Sequence, residues 1–269
     1  MKNLDTSENL KRVKNKYIKP FKYIFSLLVI LSISLIMISF IYTLQLIFIV
    51  AALLLIIAFI VLFIGYFYAE EKAITTSLFP EIITNISTHK GDSITYLAYP
   101  KELALMFKES GLFSINAFSR VRYAIKKENP PFTLLNLSII MSTGSASREI
   151  FKGGLIKLSH QKDYHALINQ EPGYLEDVSY QESRLEKAET IYIEESKEVF
   201  LDDFEPYLRL MRTLKENYDA NHVRASITPN ALYIAFDSKK LPMKLYSFKE
   251  RRINEIYDNF KELIDLVSL

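Results

Sequence analysis

Residues 23–69 form a run of 47 without a single Asp, Glu, Lys, Arg or His. As one helix this run would measure roughly 70 Å at about 1.5 Å per residue, against a hydrocarbon core of about 30 Å. One span cannot use that length without extreme tilt, whereas two spans of about 20 residues fit it. The break falls at Tyr42-Thr43-Leu44-Gln45, where Gln45 is the most polar residue of the run and Tyr42 favours an interface. The sequence therefore predicts a two-helix transmembrane hairpin, with helices over about 23–42 and 46–68. A cleaved signal peptide has an apolar core of only about 7–15 residues and a small-residue cleavage site, and neither fits here. A buried soluble hairpin would spare one face for polar residues, and this run is apolar on all faces.

Charge fixes the expected orientation. Residues 1–22 carry seven basic side chains (Lys2, Lys11, Arg12, Lys14, Lys16, Lys19, Lys22) against Asp5 and Glu8. The positive-inside rule keeps such a segment in the cytoplasm. A tight hairpin returns the chain to the side it left, so both termini are expected to be cytoplasmic. The expected location is a cell membrane, crossed twice, with the lipid bilayer as the first partner. Basic residues 11–22 also attract anionic headgroups at about 1 kcal/mol each, although orientation alone accounts for them. The spans hold no ionisable residue, which argues against a proton relay or ion pathway built by this chain alone. Ser32, Ser34 and Ser39 either face the second helix or bond back to their own.

Residues 70–269 carry 26 basic and 29 acidic side chains, a balance that disfavours a nucleic-acid-binding domain. The chain has no Cys, which excludes disulfides, thiolate metal sites and a cysteine nucleophile. Two hundred residues bury roughly 70% of their unfolded surface, enough for an ordinary core.

The fold class expected is membrane-anchored α+β. A basic segment (1–22) and two spans (23–68) precede a soluble domain (69–269) with a mainly antiparallel sheet and a long C-terminal helix. Residues 70–90 show helical spacing in Ile74, Leu78, Ile82 and Ile86, with Pro80 as a start or kink. Residues 100–108 read as a helix with Pro at its first turn, stopping near Gly111. Strands are predicted at 121–125, 132–141, 150–158 and 164–168, as an antiparallel meander. The pair Gly153-Gly154 reads as a bulge or sharp bend. Residues 170–189 read as a polar loop, and 188–194 as a strand. Asp202-Asp203 opens a helix whose apolar stripe is Phe204, Tyr207, Leu208, Met211, Leu214 and Tyr218. Thr228-Pro229-Asn230 is a hairpin signal between strands 223–227 and 231–236. A last helix from near Ser247 carries the stripe Ile253, Ile256, Tyr257, Phe260, Leu263, Ile264 and Val267. The stripe docks on the sheet or offers a seam to a partner helix.

No catalytic, cofactor-binding or metal-ligating residue is assigned, and no cofactor is expected. His160 and His165 are five apart, a spacing that points them to opposite sides of a strand. Ser145 and Ser147 lie upstream of His160 and Asp163, but there is no Gly-x-Ser-x-Gly elbow to present a nucleophile. No phosphate-loop or dinucleotide fingerprint occurs. The acid pairs Glu70-Glu71, Glu194-Glu195 and Asp202-Asp203 read as a membrane exit, a solvated face and a helix start.

Three stretches in order carry a family likeness. They are Ser110-Gly111-Leu112-Phe113, then Phe151-Lys152-Gly153-Gly154-Leu155, then a helix over 204–218 leading into Leu232-Tyr233-Ile234-Ala235. In that order, after a charged N-terminus and two spans, the chain resembles the bacterial membrane proteins carrying the domain of unknown function numbered 3137. The resemblance implies a membrane location and a mixed α/β domain, and it implies no activity. The function expected is that of a membrane-tethered cytoplasmic binding or scaffold module. Its domain would contact a protein partner, a headgroup or a second copy of itself. An enzyme acting on a lipid-linked substrate and an accessory subunit of a transporter are the alternatives.

Overall fold

The computed structural model describes residues 6–42, 45–144, 146–170, 180–184, 190–194, 201–237 and 250–267. The chain divides into two compact units, Met1–Glu81 and Ile82–Leu269.

The first unit is a helical hairpin. Helix α1 covers Thr6–Tyr42 and α2 covers Gln45–Ala73. The predicted first span is thus the C-terminal part of a longer helix that begins within the basic segment and carries Pro20 inside it. Gln45, read as the break, is the first residue of α2. The helices pair antiparallel: Phe25 meets Phe59 with ring centroids 5.5 Å apart, and Phe21 meets Tyr68 at 5.8 Å. Their seam repeats every seven residues. Ile18, Ser32 and Ser39 are buried on α1, facing a stripe of Ala51, Ala58 and Gly65 on α2. Small residues at heptad spacing let two helix backbones approach closely. At Gly65 the Phe21 side chain packs directly onto the glycine, since an added Cβ would lie 2.2 Å from Cγ of Phe21. Ser32 does both things expected of it: it is buried in the seam and its hydroxyl donates to the Leu28 carbonyl at 2.8 Å. Ser34 is exposed and donates to its own helix at Ile30.

The hairpin continues beyond the uncharged run. Lys14 pairs with Glu70 at 3.2 Å and lies 3.6 Å above the centre of the Tyr66 ring. Ala73 leads into a π-helical turn, Ile74–Leu78, and then into α3, Phe79–Lys90. Pro80 sits in the first turn of α3, where its missing N–H costs little.

The second unit is built on one nine-stranded antiparallel sheet. Its strands are β1 (Ile94–Ala98), β2 (Ala117–Glu128), β3 (Pro131–Thr143), β4 (Ala146–Ser159), β5 (Ala166–Ile168), β6 (Tyr180–Arg184), β7 (Thr190–Glu194), β8 (Val223–Thr228) and β9 (Ala231–Phe236). They lie in the order β1-β2-β3-β4-β9-β8-β5-β7-β6. The predicted meander therefore ends at β4, whose other neighbour is β9, while β5 joins the sheet between β8 and β7. Part of the predicted polar loop is an edge strand, β6. The glycine pair is not a bulge: Gly153 faces Leu137 and Gly154 faces Asn136 in regular register. The irregularity lies nearby, where Ile139 pairs with Phe151 and Ile140 with Glu149, leaving Ile150 as the extra residue. Gly153 answers a different need. An added Cβ there would lie 2.2 Å from the carbonyl oxygen of Phe236, the last residue of β9.

The sheet is covered on both faces. On one, the helix predicted over 100–108 is broken into a 3-10 turn (Lys101–Leu103) and the short α4 (Met106–Glu109). Phe107, Leu112 and Phe113 from this segment pack into the cluster of Leu135, Leu137, Leu155 and Tyr233. On the other face lie α5 (Glu205–Tyr218) and α6 (Glu250–Val267). The stripe on α6 is docked: Ile256, Phe260, Leu263, Ile264 and Val267 are buried, and Phe260 meets Tyr123 at 5.9 Å. Ser247 and the side chain of Ile253 lie outside the described residues. The Tyr218 hydroxyl donates to the Asn259 carbonyl at 3.0 Å, joining α5 to α6. Lys90 at the end of α3 pairs with Asp265 of α6.

Candidate functional site

The residues weighed as a Ser-His-Asp set are not brought together. Ser147 is the second residue of β4 and His160 lies just past its end, so the strand itself holds them roughly 40 Å apart at about 3.3 Å per residue. Ser145 lies outside the described residues. His160 is spent on the fold. Its Nε2 lies 2.9 Å from the Thr228 carbonyl oxygen, at the turn that joins β8 to β9. His165 lies between β4 and β5, where its backbone N–H donates to Glu194 at 3.0 Å. Among the described residues no three His, Asp or Glu side chains are grouped to hold a metal ion.

Burial pushes the His160 pKa down, against the smaller upward pull of the Thr228 carbonyl. A histidine whose folded pKa is lowered contributes stability that is complete above its unfolded pKa of about 6.5 and is lost as pH falls towards the folded value. We expect the sheet domain to lose more stability between about pH 7 and pH 5 than a His160→Gln variant does. Unfolding midpoints of both proteins across that range check this; parallel pH profiles would exclude His160 as the source.

Open cavities occur among the described residues of the second unit, three of them of about 660 to 760 Å³. One, of about 660 Å³, holds the Lys157–Glu109 pair at 3.0 Å. Tyr233 donates to the same carboxylate at 3.2 Å. This Lys is no candidate nucleophile, because its bonds to Glu109 and Tyr233 outweigh its burial and hold its pKa up. The cluster ties α4 to the sheet. A second, of about 760 Å³, lies between α5 and the end of α6, with Leu158, Leu210, Leu232 and Leu266 among its walls.

The third is the most polar. It encloses about 720 Å³ at the start of β4, the start of β8 and the end of β9, beside α5. The geometry follows from the sheet. The β4–β9 ladder stops at the Gly154–Phe236 pair, beside the close approach at Gly153, so the first half of β4 runs on past the end of β9. Lys152 projects from β4, Arg212 and Lys215 from α5, and Arg224 from β8. The two carboxylates present are engaged. Asp237 accepts the backbone N–H groups of Asn221 and His222 at 2.8 and 2.9 Å, and Glu149 lies 3.9 Å from Lys152. The Arg224 guanidinium stands 4.3 Å from the Phe113 ring centre and 5.6 Å from that of Phe151, and donates to Gln170 at 2.7 Å. Sequence reasoning missed this constellation, since its members are scattered and share no motif.

The chain matches no family model, no curated protein and no solved structure.

Proposed function

We propose that this is a two-span membrane protein that tethers its sheet domain at the cytoplasmic face as a binding or scaffold module. The observation that carries this is the uncovered surface of the hairpin. Phe40 is 76% exposed, Ile41 71% and Leu46 74%, and large apolar side chains stand outward along both helices. Both helices are long and apolar enough to cross a membrane. A soluble protein rarely leaves so large an apolar surface in water, whereas lipid covers it without cost. Lys14 and Glu70 lie beyond the uncharged run and pair with each other across the two helices. The cytoplasmic side follows from the basic residues before the first span.

The binding role follows from the character of the domain. The cavity beside α5 offers cations and amide side chains, and its Asp237 carboxylate accepts two backbone N–H groups. That lining can hold a charged group. Membership in the family numbered 3137 is part of this proposal and rests on the order of sequence motifs. The test is extraction of membranes holding the full chain. The protein is expected to stay in the pellet through alkaline carbonate and high salt and to leave it in detergent. Release by carbonate alone would overturn the tether.

A further inference from the structure

We infer that the cleft formed by β4, β8, β9 and α5 is a binding site for a phosphate group, carried on a lipid headgroup or on a soluble molecule. The inference deepens the binding-module reading of the domain and rests on it.

Four cations from three separate elements line one cavity: Lys152, Lys215, Arg212, which also pairs with Glu205 at 3.3 Å, and Arg224, whose guanidinium lies against the Phe113 and Phe151 rings. Such convergence concentrates positive potential where low-dielectric walls focus it, and Phe151, Met211 and Val223 supply those walls. Three carboxylates, Asp237, Glu149 and the Glu205 that pairs with Arg212, offset it in part. Asp237 is drawn to the backbone by two N–H donors, and Glu149 reaches Lys152 only at 3.9 Å. Arg224 is oriented before any ligand arrives, by two aromatic rings and the Gln170 side chain. A guanidinium fixed in this way loses little freedom on binding. A planar carboxylate is satisfied by one arginine fork. Cations approaching from the middle of one strand, a helix and the start of a second strand suit an anion with oxygens in several directions, which is a phosphate. The volume of about 720 Å³ fits a headgroup or a small phosphorylated molecule.

The test uses the full chain in a neutral detergent, with its unfolding midpoint as readout and three probes. These are inorganic pyrophosphate, dioctanoyl phosphatidic acid and dioctanoylglycerol, which lacks the phosphate. Pyrophosphate is expected to raise the midpoint saturably, less so as salt is added. A shift with the phosphatidic acid alone, and none with dioctanoylglycerol, supports the site with a lipid as its source. In the Lys152→Gln/Lys215→Gln variant the concentration needed is expected to rise by about tenfold or more. Lys126→Gln, in a different cavity, should respond like the parent protein. Should the double variant unfold early, Lys215→Gln alone, on the exposed side of α5, is expected to show the same direction. No shift with either phosphate probe, or equal shifts in parent and variants, would overturn the proposal. The two failures are distinct. Absent shifts remove the phosphate site and leave the tether, whereas release in carbonate removes the tether and leaves a measured shift standing.

Discussion

Phe260→Ala is expected to destabilise the sheet domain by about 3–5 kcal/mol, the usual cost of removing a fully buried phenyl ring. Phe260 is 1% exposed and sits edge-on to Tyr123, which is itself buried and stacked on Tyr96 at 5.8 Å. The ring is the centre of the α6 stripe, with Ile256 one turn before it and Leu263 and Ile264 one turn after. Removing it leaves a cavity under a helix that α5 also grips, through Tyr218 and Asn259. Those ties prevent α6 from collapsing into the gap, so the cost should fall at the upper end of the range. For a unit of this size each kcal/mol lowers the midpoint by about 2–4 °C, so a fall on the order of 10 °C is expected. Thermal unfolding of the full chain in neutral detergent, followed by tyrosine absorbance, reads it directly. A change of about 2 °C or less would mean that α6 is not seated on the sheet and that its stripe serves a partner instead.

Gly153→Val should cost about 3 kcal/mol or more and should open the joint between β4 and β9. The reason is space rather than backbone freedom. The added Cβ would meet the Phe236 carbonyl oxygen at 2.2 Å and the far end of the Phe151 ring at 2.6 Å. The ring can turn away, but the carbonyl belongs to the ladder and can move only by pulling β9 with it. Gly91 gives the contrast: it holds φ at +67° with nothing within 4 Å of an added Cβ. Its replacement by Ala should cost only about 1 kcal/mol, from conformation alone. Denaturant titration of the two variants separates these origins. Equal costs at Gly153 and Gly91 would mean that the Phe236 carbonyl has room to give way. Because Phe236 leads into Asp237 in the cleft, Gly153→Val should also weaken any pyrophosphate response.

What could be read in advance was what local periodicity records. The α5 and α6 stripes appear in the sequence because a helix buries every third or fourth residue, and Leu208, Met211, Leu214, Phe260 and Leu263 are buried as that spacing predicts. The β8–β9 hairpin was legible for a similar reason. Pro229-Asn230 forms the turn between Thr228 and Ala231, and Thr228 closes it with its own hydroxyl. Long-range choices left no such trace. Nothing in Ala166–Ile168 says that it pairs with β7 and β8 rather than with β4, because pairing partners are fixed by the whole sheet. The glycine pair misled for a related reason: a glycine required by a carbonyl from a distant strand looks like one required by a bulge. The cleft was invisible because Lys152, Arg212, Lys215 and Arg224 each look like a solvated surface cation until the strands assemble.

The most direct test of the tethered-module account is the side of the membrane on which the chain ends. Two reporters would be fused after Leu269, one active only in the cytoplasm and one active only outside it. The account predicts signal from the cytoplasmic reporter alone, because a two-span hairpin held by the basic residues before it returns the sheet domain to the side from which it left. Signal from the external reporter alone would contradict either the two-span count or the orientation set by those basic residues, and would place the phosphate-binding cleft outside the cell.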